Sequence, residues 1–220
     1  MGAPNVNQSG SSQATAGGPT VVDRYYLDGS FFGYAVHGKP ANATRFGLLV
    51  LGREQAFDLV VSDINRGANV GDVSHLSGTV GAAMEALYLG VPAIAISQER
   101  EGVNTEASAK FAAQLVARYQ RQGAPVGVMV SVNIPAGELK GVAVRPMGDS
   151  YLQTGAYELV EESGNRQTYE SERIRVLSSD ESTDTYAFQQ GYITLTPLKF
   201  DWTAHEYIDE VKSWDLQLID

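Results

Sequence analysis

The side chains best suited to chemistry are concentrated in one stretch, Ser62 to Val80, SDINRGANVGDVSHLSGTV. Asn65 and Asn69 offer neutral carbonyl oxygens to a hard cation, or amide N–H donors to a phosphate. Ser77-Gly78-Thr79 stands at the entrance to a helical pattern. Free backbone N–H groups and the positive end of the helix dipole suit an anion there. Gly78 permits a ligand to come close, and the hydroxyls of Ser77 and Thr79 can donate further hydrogen bonds. The same triplet also fits plain helix capping by Ser77, and turn-forming tendency explains either asparagine taken singly. Gly67 and Gly71 let the chain fold tightly, Asp72 can orient a ligand, and His75 can pass a proton to a leaving alkoxide or simply be solvated. A loop of about fourteen residues carrying all of these is more often functional than a bare connection. The patterns of P-loop NTPases (GxxxxGK[ST]), serine hydrolases (GxSxG) and zinc proteases (HExxH) are absent.

Such a loop acts only if flanking elements hold it. Before it, FDLVVS is a short continuous apolar run, as expected of a strand covered on both faces. After it, GTVGAAMEALYL places Val80, Ala83, Met84 and Leu87 on one helical face. Gly90 suits the left-handed position that ends a helix, and Pro92 blocks continuation. AIAIS supplies the next strand. This is a βαβ unit, so the chain reads as α/β with a mostly parallel sheet, and the loop sits at the carboxyl end of its strand, where such sheets bind ligands.

Elsewhere, VVDRYYLDGSFFGYAVHG predicts a hairpin turning at Asp28-Gly29, and Pro40–Leu51 a short helix. Thr105–Gln122 predicts a helix with Phe111, Leu115 and Tyr119 on one side. Val126–Ile134, Gly141–Met147 and YITLTPL read as strands, and 148–190 as a polar arm or hairpin extension with RIRVL as a strand. The final segment sets Tyr207, Val211, Trp214 and Leu218 on one helical face. Residues 1–18, rich in Gly, Ser, Ala and Asn, read by composition alone as a flexible tail. No repeat or linker divides the chain, so 1–220 is expected to be a single domain.

Composition narrows the function. The 220 residues are 43% hydrophobic, enough for a real core, and contain no cysteine, which removes disulfides and thiolate sites. A net charge of -10 argues against a nucleic-acid duplex as partner. A small anionic substrate remains compatible with a locally positive site or a bound metal. No apolar run approaches the roughly 18 residues of a membrane helix, and no signal-peptide pattern is present. A soluble, cytoplasmic protein is the expectation.

The stretch VVSDINRGANVGDVSHLSGTVGAAMEALYLGVPAIAIS resembles the signature of the SurE family, the survival-protein nucleotidases. APNVNQSGSSQAT, GKPANATRFGL, VNIP, Thr183-Asp184 and GYITLTPLKFDWTAH resemble further family motifs, so the likeness runs along nearly the whole chain. It implies a three-layer Rossmann-like fold with a C-terminal hairpin and helix extension. It also implies a phosphomonoesterase that releases phosphate from nucleoside 5′- or 3′-monophosphates with a divalent ion, Mg²⁺ or Mn²⁺. By the same resemblance Ser9 and Asn65 are metal ligands, and Asn69, Ser77, Gly78 and Thr79 lie on the phosphate side. The N-terminal segment then becomes an ordered loop of the site. A homodimer or homotetramer built through the arm and C-terminal helix, about 148–220, is implied as well.

The chain departs from the family pattern in places. The Asn-Asp-Asp-Gly motif that supplies two metal aspartates has no counterpart in these residues, which open at Ala3-Pro4, where the family's second strand ends. The expectation is that the family's first strand and helix are missing here. Asp63, Val73 and Asn42 replace a Gly, an Asp and an Asp of the family, and Asp63 is a candidate for substitute negative charge. The alternative to an enzyme is therefore a phosphate-binding or oligomer-forming relative with an impaired metal centre.

Overall fold

A computed structural model describes residues 1–214 and 216, with Asp63 described by its backbone alone. The chain opens with β1 (Gly2–Pro4), β2 (Val21–Leu27) and β3 (Ser30–His37), a three-stranded sheet in the order β1-β3-β2. The hairpin turns at Asp28-Gly29, both with positive φ (49° and 76°), the two-residue turn that the Asp-Gly pair favours. After α1 (Pro40–Leu49) the chain builds its main sheet from β4 (Val60–Arg66), β5 (Ala93–Gln98), β6 (Met129–Ile134), β7 (Gly141–Val144) and β10 (Tyr192–Leu198). Their order is β4-β5-β6-β10-β7, with only the β6–β10 pair antiparallel.

Two helices sandwich this sheet, and the alternation along β5 shows why. Ala93 and Ala95 face α2 (Gly78–Tyr88), meeting Val80, Ala83, Met84 and Ala86. Ile94 and Ile96 face the other way, toward Phe111, Leu115, Val116 and Tyr119 of α3 (Thr105–Gln122). Small residues on one face let α2 lie close, and branched ones fill the space under α3. The result is the α/β architecture with a mostly parallel sheet expected from the βαβ pattern, in the three layers that the family resemblance implied. Helix α2 ends as its sequence demands: Gly90 takes φ 81°, its N–H bonds Leu87, and the Val91 N–H bonds Ala86.

Three local expectations shift. Strand β4 continues to Arg66, pairing in parallel with β5 as far as Arg66↔Gln98, with an irregularity in register between Ser62 and Ile64. Asn65 and Arg66, which read as loop, are strand because their backbone still has partners in Ser97 and Gln98 of β5. The arm is a long antiparallel ribbon, β8 (Leu152–Ser163) and β9 (Arg166–Arg175), followed by α4 (Asp184–Gln189). Nearly every ribbon residue is exposed, so no alternation marks it in the sequence. Near the C-terminus, among the described residues, only Ile208–Lys212 forms an α-helix (α5), and Tyr207, Val211 and Trp214 are exposed; Leu218 lies outside the described residues. Among the described residues, no helix is long and apolar enough to cross a membrane.

Candidate active site

Residues 5–16 are tied down by contacts distant in sequence. The Asn5 N–H continues from β1 to the Val36 carbonyl at 2.9 Å, and the Lys39 Nζ donates to Gln8 Oε1 at 2.8 Å. Ser12 donates from its N–H to Leu76 at 3.0 Å and from Oγ to the His75 carbonyl at 2.6 Å. Gln13 Nε2 reaches Glu85 Oε2 at 2.9 Å, and the Ala16 N–H meets Asn42 Oδ1 at 2.9 Å. Thus Asn42, a departure from the family pattern, fastens this segment to the start of α1. The segment is an ordered strap, and composition alone misreads it as a tail.

The strap lies on the first turns of α2, and two glycines make room for it. A Cβ on Gly78 would sit 2.6 Å from Ser11 Oγ and 2.9 Å from Pro40 Cγ; one on Gly81 would sit 2.1 Å from the Ser12 carbonyl oxygen. The absence of a side chain at Gly78 therefore serves the approach of the strap, where the sequence suggested the approach of a ligand.

A cavity of about 1010 Å³ opens between the strap, α1, β4 and the N-terminus of α2. Ser9, Asn65, Asn69, Ser77, Gly78 and Thr79 all line it, together with Asn5, Asn7 and Gln8. Its far side is apolar, formed by Leu48, Leu51, Phe57, Leu59 and Ile64. Asp72 and His75 are not among its lining. Asp72 accepts from Ser150 Oγ, and exposed His75 meets the Trp202 ring edge-on at 5.1 Å.

Each polar group has a definite state. Ser77 is the N-cap of α2, its Oγ accepting from the Val80 N–H at 3.2 Å. Capping leaves the hydroxyl proton available to donate, and the N–H groups of Gly78 and Thr79 have no intrahelical acceptor. Asn65 donates from Nδ2 to the Gly67 carbonyl at 2.7 Å, so its Oδ1 remains an open acceptor. Asn69 donates from Nδ2 to Ser97 Oγ at 2.7 Å. Beside this end of the sheet Tyr151 donates to Glu99 Oε2 at 3.2 Å, and burial, then the Glu99 charge, push its phenol up to about 12.

Ser9 and Asn65 bring hard oxygen donors of the type a Mg²⁺ or Mn²⁺ ion takes, and both are neutral. Among the described residues, no group of three or more His, Cys, Asp or Glu could hold a metal ion. The donors in view fit the neutral part of a cation's shell and do not balance its charge. The Asp63 side chain, the candidate for that role, lies outside the described residues.

The sequence pointed to six lining residues, but not to Ser97, Asn133 or Asp184. Buried Asp184 accepts from the Gly71 N–H at 3.2 Å, the Gly148 N–H at 2.8 Å and Thr196 Oγ1 at 3.0 Å, pinning the loop that precedes α2. The Thr183-Asp184 motif was the available signal for Asp184, and the family-like VNIP and AIAIS, which contain Asn133 and Ser97, were the signals for the other two.

Comparison with known proteins gives a consistent result. The family model described as "Survival protein SurE" matches residues 1–154. The "5'-nucleotidase SurE" of a Thermoanaerobacter species is 33% identical over 221 residues, covering 98% of this chain and 87% of that one. Its counterpart from Chlorobaculum tepidum is 34% identical, covering 98% and 83%. The crystal structure of the SurE protein from Aquifex aeolicus superposes with a TM-score of 0.78 at 30% identity, over 94% of this chain and 84% of that one.

Proposed function

Because this chain belongs to the SurE family, we propose that it is a phosphomonoesterase that releases phosphate from nucleoside 5′- or 3′-monophosphates with the help of a divalent ion. The observation that carries the reading is the convergence of Ser9, Asn65, Asn69 and the Ser77-Gly78-Thr79 turn on one cavity at the N-terminus of α2.

In this reading the phosphate sits against α2. The Gly78 and Thr79 N–H groups and the Ser77 and Thr79 hydroxyls hold its oxygens, and they stabilise the charge that builds there in the transition state. Asn69 supplies a further amide donor. Ser9 and the open Oδ1 of Asn65 would be neutral ligands of Mg²⁺ or Mn²⁺. When bound, such an ion supplies Lewis-acid polarisation of a phosphoryl oxygen and a more acidic water. The strap and α1 cover the turn and limit access of bulk water to it. The exposed β8–β9 ribbon is proposed as the contact through which copies of the chain form a dimer or tetramer.

The test is phosphate release from 5′- and 3′-monophosphates with Mg²⁺ or Mn²⁺, in the wild type and in Asn65→Ala. Release that falls in the variant, with more metal needed for half-maximal rate, is the expected result. Equal rates would remove Asn65 from the site, and no release from any monophosphate would sink the reading. The neutral donor set favours one alternative, a relative that binds phosphate without hydrolysing esters; saturable phosphate binding without release would single it out.

A further inference from the structure

The carboxyl ends of three neighbouring strands carry polar residues in a single register row. Asn65 of β4 is the partner of Ser97 of β5, and Ser97 is the partner of Asn133 of β6. Partners on adjacent parallel strands point to the same face of a sheet. Ser97 is 2% and Asn133 1% exposed, so both are polar groups withdrawn from water, behind Asn69, which lines the cavity.

Asn69 is held by both of the buried pair. Its N–H donates to Asn133 Oδ1 at 2.7 Å, and its carbonyl accepts from Asn133 Nδ2 at 3.2 Å. Ser74 Oγ donates to the same carbonyl at 2.6 Å. The Asn69 side chain is anchored separately, through Nδ2 to Ser97 Oγ at 2.7 Å. Main chain and side chain are thus held by two neighbouring strands of the rigid sheet, although Asn69 itself lies in the loop after β4. A carboxamide has two N–H donors and one oxygen. Ser97 engages one N–H, leaving the other and the oxygen for a ligand.

We propose that Ser97 and Asn133 are positioning residues for substrate phosphate: Asn133 fixes the backbone of Asn69, and Ser97 orients its carboxamide into the cavity. This rests on the phosphomonoesterase reading, and it makes the sheet, instead of the loop, the source of the site's preorganisation. Without Ser97 the carboxamide must be ordered by the ligand itself, and binding weakens accordingly.

A double-mutant cycle tests this with Ser97→Ala, Asn69→Ala and the pair, with inorganic phosphate as a competing ligand. Ser97→Ala is expected to raise both the inhibition constant of phosphate and the KM for a nucleoside monophosphate about five-fold, the share of one neutral hydrogen bond. kcat should change less than KM, and the melting temperature little. In the Asn69→Ala background the Ser97 substitution should add nothing, and Ser97→Thr, which restores the hydroxyl, should recover affinity. Equal effects in both backgrounds would overturn the proposal, because a purely structural role predicts additivity. Should even the wild type release no phosphate, the phosphomonoesterase reading fails and the Asn69 side-chain NH₂ resonances decide separately. Their change to motionally averaged signals in Ser97→Ala supports the orienting role, and unchanged signals refute it.

Discussion

The carboxylate of Glu85, inside α2, pairs with Arg45 of α1 through one oxygen and accepts Gln13 of the strap through the other. The Glu85 side chain is 1% exposed, whereas that of Arg45 is 43% exposed. A charge this deep is tolerable only because both oxygens are occupied. The pair thus locks a helix, its neighbour and the segment carrying Ser9 into one body.

Glu85→Ala should therefore destabilise the fold by about 3 kcal/mol, the low end for breaking a buried pair, because the Arg45 left behind can reach water. Glu85→Gln should cost less, since an amide oxygen can still accept from Gln13. Urea unfolding of the three proteins gives the values; a Glu85→Ala variant as stable as wild type would show that the pair contributes nothing.

A different outcome is expected at Gly81. Alanine there gains about 1 kcal/mol of helix propensity. Its Cβ, however, would lie 2.1 Å from the Ser12 carbonyl oxygen, closer than atoms can come. The helix is a cylinder inside the core and the strap is a surface segment, so the strap must move. Gly81→Ala should change global stability little while strongly reducing phosphate release and speeding hydrogen exchange at the Ser12 amide. Unchanged exchange at Ser12 would mean the strap accommodates the methyl group.

This dependence on distant contacts also explains what the sequence could and could not convey. The βαβ unit was legible because its signals are local: the spacing Val80, Ala83, Met84 and Leu87, the cap at Ser77, and Gly90 before Pro92. The strap was not, because nothing within residues 1–18 prescribes order; that comes from Leu76, Glu85 and Asn42, far along the chain. Family resemblance corrected the reading where composition could not. Ser97 and Asn133 stayed hidden for a related reason. Ser97 shares the end of its strand with Gln98, and Asn133 shares its strand with Ser131, so neither stands out by type, and only sheet register makes them partners. The end of β4 reads as loop because Asn65 and Arg66 have loop chemistry, while their backbone keeps strand pairing with Ser97 and Gln98 of β5.

Asp184 offers a prediction on the loop from the other side. At 1% exposure its carboxylate meets four donors, the backbone N–H groups of Gly71 and Gly148 and the hydroxyls of Thr185 and Thr196. Asp184→Asn keeps the shape but turns an NH₂ group toward N–H donors, leaving one of them unsatisfied. The cost should be about 2–3 kcal/mol, the range for a buried group that loses a charged partner. Amide exchange should rise at Gly71 and Gly148 in particular. A loss of stability with both amides still protected would place the effect elsewhere.

The last prediction concerns alkaline pH. The Tyr151 phenol donates to Glu99, and burial with the adjacent carboxylate pushes its pKa up to about 12 from the usual 10. Below about pH 10 the phenol is neutral in both folded and unfolded chains, so the contribution of this corner is fully present. Between about pH 10 and 12 the unfolded chain gives up the proton and the folded protein keeps it. The folded state then binds more protons, and stability must fall as pH rises. Lysines and the other tyrosines titrate in the same range, so the informative quantity is a difference. Tyr151→Phe cannot ionise at this position, and its urea midpoint should fall less than that of the wild type between about pH 9 and 11.5. Removing the phenol also removes the hydrogen bond to Glu99, so the variant should start lower at pH 9 and the two curves should converge. Parallel curves would show that Tyr151 ionises with an ordinary pKa and that the Glu99–Tyr151 contact does not hold its proton.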